Sequence, residues 1–189
     1  MKHAKALDPS RSAAILGVLV SQLREADNWC GETHVQKAVY FLQAACRVPM
    51  GYSFVLYKHG PYSFDLRLAT ARLLGRRMLK QEPSTPPYGP RLRATTIMTK
   101  HVERHQEAIC RHLEEITRVV QFVGRRGVAD LERLSTALYV TVRNEEESIE
   151  FRARRIHELK RHVSVELATE AVQELDASPM LPNLQRRSP

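Results

Sequence analysis

Apolar residues recur at helical spacing over most of the chain. Between residues 12 and 26, Ile15, Leu19, Leu23 and Ala26 form one stripe. Leu16, Val18 and Val20 widen that stripe until little polar face remains, so a nearly buried helix is expected. Asp8, Pro9 and Ser10 supply start signals just upstream. After a turn at 28–31, Thr33-x-x-Gln36 matches a capping box that would open a second helix over 34–47, with Val35, Ala38, Val39, Leu42 and Cys46 inward. Residues 52–57 are aromatic and β-branched and predict a strand. Lys58-His59-Gly60-Pro61 predicts a turn, and 62–75 a third helix with Ser63 as its N-cap. Phe64, Leu68, Ala71, Leu74 and Met78 fall on one arc of it, with Arg72, Arg76, Arg77 and Lys80 roughly opposite. Residues 78–98 read as a β-hairpin with a proline-rich tip at 83–87.

The second half is helical throughout. Residues 102–123 predict one long helix, with Ile109, Leu113, Ile116, Val120 and Phe122 or Val123 as a short heptad seam. That seam would either pack against the next helix, 128–143, or form a homodimer. In 128–143 the inward positions are Leu131, Leu134, Leu138 and Val142. Two more helices are expected at 148–159 and 164–175, and a flexible tail at 179–189. The expected fold is mainly α. A winged-helix-like part, 1–98, carries a small antiparallel sheet made from 53–57, 78–82 and 91–97. A helical part, 99–178, packs on it. Ile15, Leu19, Val39, Leu42, Leu68 and Leu74 should share the N-terminal core.

Composition narrows the class. Of 189 residues 43% are hydrophobic, enough for a core, yet the longest apolar run, 13–20, is far short of a membrane span. The N-terminal residues lack an apolar leader stretch, so a cytoplasmic protein without a membrane is expected. Cys30, Cys46 and Cys110 share no CxxC spacing, which argues against a disulfide framework or a zinc ribbon. The net charge of +8 is uneven: residues 61–105 hold nine Lys/Arg against three Asp/Glu, whereas 106–178 hold eleven against fourteen. Such asymmetry suggests a module facing a polyanion joined to one facing a protein partner.

Candidate chemistry is sparse. His59-Gly-Pro-Tyr-Ser63 could pass for a catalytic loop, but no Gly-x-Ser-x-Gly elbow accompanies it. A turn followed by a helix cap accounts for it more simply. His101 and His105 are spaced to share a metal, but Arg104 and Arg111 would repel a cation, so a solvated face is expected. No glycine loop could cradle a phosphate. The expectation is therefore no catalytic residues, no metal and no cofactor. The most informative set is basic: Arg72, Arg76, Arg77 and Lys80 on the third helix, with Arg91 and Arg93 on the hairpin. In a winged helix-turn-helix the third helix enters the major groove and the wing touches the backbone, which aligns these cations along phosphates. Tyr40 and Gln43, if exposed, would add contacts. The opposing reading pairs the arginines with the acidic residues of 145–150.

Residues 36–66 also carry a resemblance. Gln36, Lys37, Tyr40 and Leu42, then Gly51, Phe54 and Tyr57, then Gly60-Pro61-Tyr62-Ser63 and Leu66 resemble the pattern of YwgA-like proteins and, more distantly, of Panacea/SocA-like proteins. A second match lies in 132–140 and 157–175, with Arg161 where that pattern has proline. The resemblance implies a mainly helical, winged-helix-related fold. Panacea-type domains act as antitoxins, and SocA-like ones can deliver a toxin to a protease. Two expectations follow. One is a non-enzymatic winged-helix regulator that binds nucleic acid, duplex DNA in the simplest case. The alternative is a protein-interaction module acting as an antitoxin or proteolytic adaptor, with a toxin as partner.

Overall fold

The computed structural model describes residues 6–84, 89–143 and 148–178. Helix α1, Pro9–Glu25, starts where the sequence signals it. Asp8 caps it by accepting from the Ser10 and Arg11 amides, and Pro9 sits in the first turn, where no amide partner is needed. Ile15, Leu16, Leu19, Val20 and Leu23 are fully buried. Helix α2, Glu32–Ala44, buries even more of its surface, from His34 to Leu42. The capping box is not used: α2 begins at Glu32 with Gly31 as cap and no side-chain bond, which places Thr33 inside the first turn. The helix stops at Ala44, before the expected 47.

Between α2 and the third helix lies a short hairpin, β1 Val55–Tyr57 and β2 Gly60–Tyr62, paired antiparallel with Leu56 opposite Pro61. Helix α3, Phe64–Gly75, follows, and Ser63 caps it by accepting from the Leu66 amide as expected. The second hairpin joins β3 Leu79–Glu82 to β4 Arg91–Ala94. The two hairpins are separate sheets, not the single sheet predicted. What joins β4 is the segment between α1 and α2: Gly31 bridges Arg91, and the Leu92 amide donates to the Cys30 carbonyl at 2.8 Å. The order helix, bridge, helix, helix, hairpin is that of a winged helix, with β1–β2 inserted before α3. Thr85, Pro86 and Pro87 of the expected tip lie outside the described residues, as do 145–147 and the tail.

The predicted helix 102–123 is three helices: α4 Thr96–Glu103, α5 Gln106–Cys110 and α6 Leu113–Val123. The chain leaves helical geometry at His105 (φ −119°) and His112 (φ −126°). These bends let the three segments wrap around α1. At the α1–α4 crossing Gly17 makes room for Met98, whose side chain a Cβ there would have to displace. The strand expected to run to 97 ends at Ala94 for the same reason: Thr96 already opens α4. The heptad seam packs on α1 and α2 instead of on its successor, and Leu113 is exposed.

Helix α7, Val128–Thr141, packs on the other side of α2. It forms a three-helix unit with α8, Ile149–Leu159, and α9, Val165–Asp176, the latter two capped by Ser148 and Ser164. Arg152 fastens that unit with paired bonds to Asp176 at 2.9 and 2.5 Å. One apolar cluster runs from α1 through α9, across the expected boundary at residue 98. Among the described residues no helix is long and apolar enough to cross a membrane.

Candidate nucleic-acid interface

The motif residues of 36–63 form an internal clamp. Gln36 bonds both backbone groups of Ser63, donating to its carbonyl and accepting from its amide, each at 2.9 Å. Lys37, 1% exposed, donates to the Pro61 carbonyl at 2.8 Å. Lys160 donates to the carbonyls of Tyr57 (2.8 Å) and Lys58 (2.6 Å) and pairs with Glu132 at 3.1 Å. Burial pushes Lys37 down to about 8; Glu132 opposes that shift and Lys160 adds to it. Gly60, at φ +83°, lies so close to α7 that a Cβ would sit 3.1 Å from the Ser135 and Thr136 hydroxyls. Tyr40 is buried against Phe41 and Phe54, and Gln43 is bound to both backbone groups of Tyr52. Neither is available to a ligand, which corrects that expectation. The clamp fixes β1–β2, and through Ser63 it fixes where α3 begins.

Helix α3 meets the body mainly through β3, and only Leu66 and Leu73 are buried. Of the expected inward arc, Met78 is buried and Leu74 packs half-buried against the core, but the first three positions face outward. Phe64 and Leu68 are 54% and 51% exposed, Ala71 is exposed and Leu74 is half-buried. The apolar positions exceed what the narrow contact with β3 can cover, so the pair seven residues apart goes inward. Arg72, Arg76 and Arg77 are exposed as expected, but not opposite a buried arc, since Arg72 follows Phe64 and Leu68 on one side of the helix.

These three arginines gather at the end of α3. The helix closes in a Schellman motif: the Arg77 amide donates to Leu74 and the Met78 amide to Leu73, both at 2.9 Å. Arg77 holds the left-handed position at φ +56°, where glycine is the usual occupant. No described carboxylate pairs with Arg72, Arg76 or Arg77. Glu145, Glu146 and Glu147, offered as partners by the opposing reading, lie outside the described residues. On the wing, Lys80 and Arg93 are directly opposed across β3–β4. Glu82 bridges both, at 3.5 and 3.2 Å, and takes Arg24 of α1 at 2.9 Å. The Arg93 bond leads in holding the Glu82 carboxyl below its usual range, with Arg24 and Lys80 assisting against some desolvation. One carboxylate against three cations leaves the wing positive. Arg91 turns away: it lies over the Trp29 ring at 4.9 Å and donates to the Trp29 carbonyl. It secures the wing base and does not join the row.

Sequence reasoning missed three contributors. Arg24 reaches the wing from α1. Arg67 and Arg125 line a cleft of about 850 Å³ between α3, the wing base and the start of α7. Nothing local marks them, since each arrives by tertiary packing. An aromatic group, Tyr57, Tyr62 and Phe64, stands beside the start of α3 with ring centroids 5.1–5.7 Å apart. Burial first, and then its bond to Glu32, push the Tyr62 hydroxyl up to about 12. His101 and His105 lie with ring centroids 4.4 Å apart, tilted by 39°; both are partly exposed and both bond Ser10, tying α4 to α1. No protein-family model matches the chain, and a search of curated proteins returned no similar sequence.

Proposed function

We propose that this chain binds nucleic acid, as a non-enzymatic regulator of winged-helix type, through the end of α3 and the wing. The observation that carries the reading is the trio Arg72, Arg76 and Arg77, exposed and without an ion-pair partner among the described residues. Beside them a hairpin presents Lys80 and Arg93 on one side. Cations near a helix C-terminus also offset the helix dipole, by about 0.3–1 kcal/mol. One residue would suffice for that, and three in six positions exceed it. Phosphate neutralisation releases counterions, so binding should weaken steeply with salt. The test is the double reversal Arg72→Glu with Arg76→Glu, in a variant whose circular dichroism shows retained helix content and a cooperative melt. Loss of binding to a labelled oligonucleotide supports the reading, and unchanged affinity refutes it.

A second reading has its own observation. Val55, Tyr57, Phe64 and Leu68 are exposed large apolar residues on neighbouring elements. Such a patch also suits a protein partner, as the resemblance to Panacea/SocA-like adaptors would have it. A partner that still binds the charge-reversed chain would favour that reading.

A further inference from the structure

We infer that the nucleic acid bound by α3 is single-stranded, with bases stacking on Tyr57 and Phe64 and the strand running along the helix to Arg72 and Arg76. This rests on the nucleic-acid reading above and specifies its ligand. The crest of α3 is set by what it buries. With Leu66 and Leu73 inward, a turn of 100° per residue puts Phe64, Leu68 and Arg72 on the opposite side, one above the other. Ala71 comes between Leu68 and Arg72, and Gly75 between Arg72 and Arg76, where a Cβ would meet nothing within 4 Å. The crest therefore runs from an apolar ridge, past the small side chain of Ala71, to a cationic end. Phe64 and Arg72 are about 12 Å apart along the axis, a span of a few nucleotides.

The rings are arranged to receive another ring. Tyr57 and Phe64 meet edge to face, at 5.7 Å and 69°, and Tyr62 packs against both, so the face left to each ring is the one turned away from this cluster. Tyr57 is 56% exposed and Phe64 54%. Base–aromatic stacking combined with arginine is the chemistry of single-strand binding. A duplex fits poorly. A helix with its side chains is about 10–12 Å across and already fills a major groove of about 12 Å. Here the β1–β2 hairpin is held against the start of α3 by the Tyr57–Phe64 contact, and it widens that end beyond the groove. A single strand imposes no such limit. The carboxylate exposed on α3, Asp65, lies in the first turn, about 10 Å along the axis from Arg72.

The experiment uses the whole chain and fluorescence anisotropy across a salt series. The probes are a short labelled oligothymidylate and a duplex of the same length. The variants are Tyr57→Leu and Phe64→Leu, which keep apolar bulk but remove the flat face; Phe64→Tyr, which restores it; and the pair Arg72→Gln with Arg76→Gln. The wild type should bind the single strand more tightly than the duplex. Each leucine variant should lose about five- to a hundredfold in single-strand affinity with its salt slope unchanged, and Phe64→Tyr should retain it. The arginine pair should lower the salt slope by roughly 0.7 for each phosphate left without its arginine. Equal or tighter duplex binding overturns the inference. So do leucine variants that bind like wild type while the arginine pair fails, in which case the aromatic crest faces a protein and the basic end alone holds nucleic acid. If the arginine pair also binds like wild type, the nucleic-acid reading falls and takes the inference with it.

Discussion

Helices α2 and α3 are adjacent in sequence and of similar length, yet the chain treats them in opposite ways. Nine of thirteen residues of α2 are buried, against two of twelve in α3. In α2 the polar side chains are consumed: Gln36, Lys37 and Gln43 all bond backbone of the segment that follows. In α3 the charged side chains at the C-terminal end have no ion-pair partner among the described residues. Helix α2 is the post on which the β1–β2 hairpin is mounted, and α3 is the surface it displays. Polar groups that a fold satisfies internally report on architecture. Those it leaves exposed, charged and grouped are the ones available to a ligand.

The largest effect should separate these helices by stability. Phe41, fully buried in α2, should cost about 3–5 kcal/mol when truncated to alanine. Leu68→Ala on α3 should stay within about 0.5 kcal/mol. Denaturant titration of both variants gives the two values, and a Leu68 effect above about 2 kcal/mol would place that helix face inside the core. The clamp gives the next test. Gly60→Ala combines a left-handed φ with two close hydroxyls and should cost about 1–3 kcal/mol, read in the same titration.

Much of this contrast is legible from residues alone, and the remainder is not for identifiable reasons. The starts of α1, α3, α8 and α9 depend on Asp8, Ser63, Ser148 and Ser164. Those caps act within four residues and read directly. The cores of α1 and α2 follow from periodicity because both helices are enclosed. The facing of α3 misleads because Phe64, Leu68, Ala71 and Leu74 are as apolar and as well spaced as a core stripe. Only the narrowness of the contact with β3 decides that Leu66 and Leu73 go in. The breaks at His105 and His112 carry no Gly or Pro, since they answer to the curvature around α1. Five of the six basic residues expected at the site stand exposed on α3 and the wing. Arg91 departs from that expectation because its stacking partner, Trp29, lies 62 positions away.

Smaller effects sharpen the comparison. Lys37 releases its proton from about 8 in the fold, but only near its ordinary 10.5 when unfolded. The unfolded chain thus binds more protons between those values, and stability rises with pH there. Cys30 and Cys46, pushed by burial to about 12 and 11, act in the opposite direction above 9.0. From pH 8 to 9 the wild type should therefore gain about 1 kcal/mol that Lys37→Met does not. Matched urea melts at the two pH values measure this, and a parallel response would remove Lys37 from the account. Arg77→Gly should move two properties apart. Relieving the left-handed arginine should raise stability by about 1 kcal/mol, and removing the charge should weaken oligonucleotide binding. Gly75→Ala, with open space around it, should add about 0.4–1 kcal/mol to the melt.

The most direct measurement is the dependence of oligonucleotide affinity on salt for the wild type and for Arg72, Arg76 and Arg77 all changed to glutamine. The account predicts a steep wild-type slope that becomes shallower by roughly 0.7–0.9 for each phosphate no longer neutralised, in a variant that still melts cooperatively and loses only the helix-dipole contribution of its cations. Identical slopes for the two proteins would contradict it and would leave the basic end of α3 as solvated surface.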